Sequence, residues 1–220
     1  MIQCFLACFR RELALNYARL SDLLTVLVFF AMIAALFPFG LGSDRALLQA
    51  VGPGVIWIVA LLSLLSAMNR IIRQDHDDGN LDQLRLLDMP FVLVLLAKWL
   101  AHWVALVVPL ILLAPLLGLL YALDNQNLWL ILLTLLLGTP ALSALGLAGA
   151  VLSVEARLGH VILPLLVLPL SIPVVIFALG IISAHNLGLP THSIWLQLTA
   201  LPFLYLPISL LAANYGLTEG

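Results

Sequence analysis

From Phe91 to Leu123 the chain runs for 33 residues with one formal charge, Lys98. A helix crossing a bilayer needs about 20 predominantly apolar residues. The run is long enough for one span and too short for two spans with a turn. One tilted or kinked helix is expected, with Pro109 and Pro115 as kink sites. Five more apolar stretches flank it, so spans are expected at about 23–41, 46–68, 91–123, 128–154, 161–183 and 194–214. Hydrocarbon offers backbone groups no partners, which leaves a helix bundle or a closed barrel. A barrel would show alternating segments of about 10 residues, whereas these runs are continuous. The sequence is 64% hydrophobic and 9% charged, against roughly 25% charged in a soluble domain. The expected fold is an all-α integral membrane protein, one membrane domain over residues 1–220.

Glycine and proline mark where these spans should yield. Pro38 and Gly40 loosen the end of the first span. Gly52-Pro53-Gly54 predicts a break in the second, and Gly138-Thr139-Pro140 one in the fourth. Pro164, Pro169 and Pro173 lie inside the fifth. The small residues Ala141, Ser143, Ala144, Gly146, Ala148, Gly149 and Ala150 make a close-packing surface. It serves either a subunit contact or an intrachain one.

Residues 2–20 read as an interfacial helix. On a helical wheel Ile2, Phe5, Leu6, Phe9, Leu13, Tyr17 and Leu20 fall within an arc of about 120°, with Arg10, Arg11, Glu12 and Arg19 outside it. Such a helix lies in the headgroup plane with its apolar face down; the competing reading is a cytosolic helix packed on a partner. A cleaved signal peptide is not expected, because the charged region is long and no A-x-A site follows. Cys4 and Cys8 share a helix face by spacing. They are small packing residues or, less simply, a thiolate pair for a metal or haem.

The segment Arg70–Pro90 interrupts the apolar chain with eight Asp and Arg side chains. Arg70 and Arg73 suit a helix C-terminus. Asp75 to Gly79 form an acidic turn. Asn80 can cap a short helix with Gln83 in the capping-box position, and Pro90 ends it. Leu81, Leu84 and Leu87 repeat at helical spacing. The helix is about two turns, roughly 12 Å, and too short to stand alone in water. Three readings stand: a coupling helix seated in a cytoplasmic motor subunit, a connector packed on its own bundle, or a metal site on Asp75, His76, Asp77 and Asp78. Six spans place both termini on one side. With the termini in the cytoplasm, Arg10, Arg11, Arg19, Arg70, Arg73, Arg85, Lys98 and Arg157 lie inside and only Arg45 outside, as the positive-inside rule prefers.

Several stretches together resemble the CcmB family, the membrane subunit of the ABC-type complex of cytochrome c maturation. They are FRREL at Phe9–Leu13, PGVIWIVALL at Pro53–Leu62, RIIRQDHDDGNLDQL at Arg70–Leu84, AKWLAHW at Ala97–Trp103, LGTPALSALGLAGA at Leu137–Ala150 and LPLLVLPLSIPVVIF at Leu163–Phe177. The resemblance implies six spans with an N-terminal interfacial helix and a short cytoplasmic coupling helix, arranged as in ABC exporters of that type. It implies a bacterial inner-membrane location, a second copy of the chain, an ATPase subunit (CcmA) on the charged loop, and partners CcmC and CcmD. The haem chaperone CcmE is an indirect partner, haem the cargo, and ATP bound only by the ATPase subunit. Docking then falls to Asp75, Asp78, Gly79, Asn80, Leu81, Asp82, Gln83, Leu84 and Leu87. The interfacial helix presents Phe5, Phe9, Arg10, Arg11 and Leu13.

No G-x-x-x-x-G-K-[ST] motif is present to cradle ATP phosphates, and no H-E-x-x-H or Ser/His/Asp set offers hydrolytic chemistry. The chain is not expected to be an enzyme by itself, and no basic surface suggests nucleic acid. Lys98 and His102 are the ionisable residues deepest in an apolar span, four apart on one face. They are structural (Lys98 snorkelling to the headgroups, His102 neutral and hydrogen-bonded), or transmit motion from the loop, or ligate haem. Three functions follow: an ABC permease-like subunit coupling ATP hydrolysis to haem export or to release of a haem-loaded chaperone, a secondary transporter, and a non-transporting scaffold for cytochrome c assembly. A secondary transporter wants charge near the bilayer midplane, and none is there.

Overall fold

The computed structural model describes residues 2–18, 20–68, 89–154 and 159–219. Among them the chain forms α1 (Ile2–Ala18), α2 (Leu20–Leu41), α3 (Arg45–Met68), α4 (Phe91–Leu120), α5 (Asn125–Val154), α6 (Gly159–Asn186) and α7 (His192–Glu219), with no strand. Helices α2 to α7 are all long and apolar enough to cross a membrane. The long third region is one helix of 30 residues that contains both Pro109 and Pro115.

The central element is α5. It packs most extensively on α7 and α6 and also touches α3 and α4. Small side chains explain why it can be surrounded. Residues 141–147 are all buried, and Ala150 is 1% exposed. The small-residue surface therefore serves contacts inside one chain. At Gly146 an added Cβ would collide with the side chain of Met68 on α3. At Gly138 it would lie 2.7 Å from Trp57, 3.1 Å from Val174 and 3.3 Å from Leu198, so α3, α6 and α7 all close on that point.

The two predicted breaks are absent: α3 runs through Gly52-Pro53-Gly54 and α5 through Gly138-Thr139-Pro140. Neighbouring helices re-satisfy a proline-containing helix in a bundle, and here the glycines make room for a neighbour's ring. Gly52 meets Tyr121, where an added Cβ would lie 2.9 Å from the ring. Tyr121 is fully buried just past α4, and its hydroxyl donates to the Ala34 carbonyl of α2 at 2.5 Å. That carbonyl is the one Pro38 orphans, because proline has no N–H to return to residue i−4. Gln49 Nε2 on α3 donates to the adjacent Ala122 carbonyl at 2.5 Å. One tyrosine thus joins α2, α3 and α4 at the end of the bundle away from residues 69–88.

Two further side-chain bonds cross the interior. Trp57 Nε1 on α3 donates to Thr134 Oγ1 on α5 at 3.1 Å. Trp103 Nε1 on α4 donates to Thr139 Oγ1 on α5 at 3.1 Å, and that hydroxyl donates to Leu135 O at 2.7 Å. Exposed apolar side chains line the outside at helical spacing, with Leu24, Val28, Met32 and Leu36 on α2, and Leu204, Ile208 and Leu211 on α7. These faces suit lipid.

Removing the tyrosine hydroxyl tests the Pro38 account. Tyr121→Phe strands a buried carbonyl and is expected to lower stability by about 1–3 kcal/mol. In a Pro38→Ala background the loss should shrink, since the backbone N–H that alanine restores can take the same carbonyl. Unfolding in detergent measures both; equal losses in the two backgrounds would rule the account out.

Candidate functional site

The docking residues Asp75, Asp78, Gly79, Asn80, Leu81, Asp82, Gln83, Leu84 and Leu87 lie outside the described residues. The described chain resumes at Met89 and enters α4 at Phe91. The site at this entrance is built by α1 lying against the first three turns of α4.

Helix α1 turns Phe5, Cys8, Phe9, Glu12, Leu13 and Asn16 inward. Near the loop, Cys8 joins Met89, Val94 and Ala97 in a small buried cluster, flanked by Phe5, Phe9, Phe91 and Leu93. The segment leaving the charged loop is thus seated on α1. Cys4 is exposed while Cys8 is buried, so the two cysteines do not share a packed face. Among the described residues no three His, Cys, Asp or Glu side chains form a group able to hold a metal.

Beyond this cluster come two polar rungs. Lys98 Nζ donates to Glu12 Oε2 at 2.8 Å, with the two side chains 7% and 5% exposed. Arg11 Nη1 holds the other carboxylate oxygen, Oε1, at 2.8 Å. One turn further along both helices, Asn16 Oδ1 lies 3.4 Å from His102 Nδ1. Residues four apart share a helix face, so Glu12 and Asn16 on α1 match Lys98 and His102 on α4. Asn16 Nδ2 donates to the Glu12 carbonyl at 2.8 Å. That bond orients the amide, leaves Oδ1 as acceptor and makes His102 Nδ1 the donor.

This geometry changes two expectations. Lys98 does not snorkel to the headgroups; its ammonium is paired with a buried carboxylate. The inward face of α1 is also rotated by about 60° from the apolar arc on the wheel. Ile2 is 79% exposed, and Leu6 and Tyr17 are exposed too, while Glu12 is only 4% exposed. Hydropathy sorts Glu12 with the arginines, but a carboxylate facing a buried ammonium has a stronger claim on the interior than a leucine facing lipid. Glu12 and Asn16 are the site residues that sequence reasoning missed. The signal was a matching four-residue spacing in two segments far apart in the chain. Arg10 and Arg11 are exposed.

The pairing fixes a cation, a carboxylate and an imidazole in place. It offers no nucleophile–base pair and converges on no metal position. What it does is fasten α1 to α4 directly beyond the charged loop.

A family model described as CcmB protein matches residues 3–218, from α1 through α7. Curated relatives named Heme exporter protein B align over most of the chain. The one from Haemophilus influenzae is 44% identical over 186 residues, 84% of each chain. Those from Pseudomonas aeruginosa and Escherichia coli K12 are each 42% identical, over 92% and 83% of each chain.

Removing one member of a buried ion pair costs about 3–5 kcal/mol, whereas replacing both by apolar residues is often neutral. Glu12→Leu and Lys98→Met are each expected to destabilise by that order, and the double variant by less than either. Unfolding of all four forms in detergent gives the coupling. Costs that simply add would mean the pair contributes no interaction of its own.

Proposed function

We propose, because this chain belongs to the CcmB family, that it is the permease-like membrane subunit of an ABC-type complex needed for c-type cytochrome biogenesis. Haem is the cargo that complex handles, in line with the name its relatives carry. ATP is bound and hydrolysed by a partner ATPase subunit, CcmA, because this sequence has no phosphate-cradling motif. The other partners are CcmC, CcmD and a second copy of this chain, with the chaperone CcmE reached indirectly. Membership of this bacterial family supports an inner-membrane location, and the arginine distribution supports both termini and the charged loop on the cytoplasmic side.

The observation that carries the mechanism is the buried Glu12–Lys98 pair at 2.8 Å. In the proposed cycle, nucleotide-driven closure of two ATPases pushes the short helix around Leu81, Leu84 and Leu87. The loop feeds into α4 through Met89, which nests against Cys8. Lys98 and His102 then hand the movement to α1 through Glu12 and Asn16. A fixed charge pair transmits displacement because separating it in a low-dielectric site is expensive. Helix α1 rides in the headgroup plane with Ile2, Leu6 and Tyr17 toward lipid. Movement of α1 and α4 as one body tilts the spans, which either passes haem outward or releases a haem-loaded chaperone.

Two measurements test this reading. Leu81→Asp combined with Leu84→Asp should abolish co-purification of the ATPase while the membrane subunit still folds; capture at the wild-type level would sink the docking assignment. The purified complex in vesicles, given ATP and haem, should either deliver haem to the lumen or free a haem-loaded chaperone there from the complex. Haem accumulating in the lumen with no chaperone present would decide for export and against release.

A further inference from the structure

We infer that α4 and α5 enclose a water-binding site at Trp99, His102 and Ser143, which extends the α1–α4 network to the central helix. Trp99 Nε1, His102 Nε2 and Ser143 Oγ are buried and have no hydrogen-bond partner in the protein. Their residues are 7%, 7% and 1% exposed. A buried polar group without a partner costs of the order of a full hydrogen bond, so three together call for a guest.

Register brings them to one level. Helices α4 and α5 run antiparallel from the turn at 121–124, since Gly118 meets Leu128 near the turn and Trp103 meets Thr139 further in. The Trp103–Thr139 bond sets their alignment. One turn toward the loop on each helix, four residues back on α4 and four on along α5, stand Trp99 and Ser143. They are the next pair in the row that Trp103 and Thr139 begin. His102 is three residues from Trp99, hence on a neighbouring part of the same face. Its Nδ1 edge is turned to Asn16 on α1, so Nε2 lies on the far side of the ring, where it is buried.

The donors and acceptors complement one another. Asn16 Oδ1 makes His102 Nδ1 the donor, so in the neutral ring Nε2 carries a lone pair. The indole N–H of Trp99 only donates. The Ser143 hydroxyl does either. A water accepting from Trp99 and donating to His102 and Ser143 satisfies all three, within the two to four partners a buried water takes. An apolar ligand would leave every one unmet, and a carboxylate would oppose the Nε2 lone pair. The occupied site completes a path from Glu12 through Asn16 and His102 to α5.

Radiolytic labelling of the purified complex in lipid discs with 18O-water tests this. Bound water is activated where it sits, so Trp99 should take up label several-fold faster than Trp57, which is fully buried but bonded directly to Thr134. Ser143→Ala supplies a second reading with opposite signs. Loss of a water's partner should lower Tm by about 2–4 °C, whereas loss of a stranded hydroxyl would leave Tm unchanged or raise it. Trp99 labelled no faster than Trp57, or Ser143→Ala at or above the wild-type Tm, overturns the proposal.

Discussion

Hydrocarbon supplies no hydrogen-bond partner, and this deficit organises the molecule. At several points where a backbone or side-chain polar group is denied its usual bond inside the bundle, another helix provides it. Pro38 frees the Ala34 carbonyl, and Tyr121 reaches across from beyond α4 to take it. The indoles of Trp57 and Trp103 find threonines on α5. Lys98 finds Glu12. Each of these bonds joins two different elements through residues 36 to 87 positions apart, so the requirement for satisfaction doubles as the instruction for assembly. Apolar packing alone would leave the helices free to slide, since lipid tails wet a leucine face as well as another helix does.

The same rule gives the entrance of α4 its mechanical character. A charge pair in a low-dielectric site tolerates little stretching, and two polar rungs one turn apart resist rotation as well as separation. Beneath them the Cys8–Met89–Val94–Ala97 cluster closes the joint on the loop side. At the other end of the bundle, Tyr121 and Gly52 bind α2, α3 and α4 together. The chain is thus fastened near both ends of α4, and small residues fill the contacts of α5 between them.

Much of this was legible in the sequence, and the misses share a cause. Six helices long and apolar enough to cross a membrane were expected, and six are present among the described residues. Length and hydropathy decide that a helix crosses a bilayer, and both are local properties. The predicted breaks failed because a glycine–proline pair has two uses, to end a helix or to admit a neighbour's side chain. Only the arrival of Tyr121 and Trp57 shows that the second applies here. The small residues of α5 left subunit and intrachain contact open for the same reason.

Sequence by itself determined the class of fold, the number of helices able to span a membrane and the lack of the phosphate-cradling and hydrolase motifs, because each follows from composition or from spacing within one segment. Tertiary structure alone decided which way α1 faces. A helical wheel ranks side chains by their affinity for water and so turned Glu12 outward. The buried ammonium of Lys98, 86 residues away in the chain, turned it inward. Pairing energy is a property of two residues, and no reading of either one contains it.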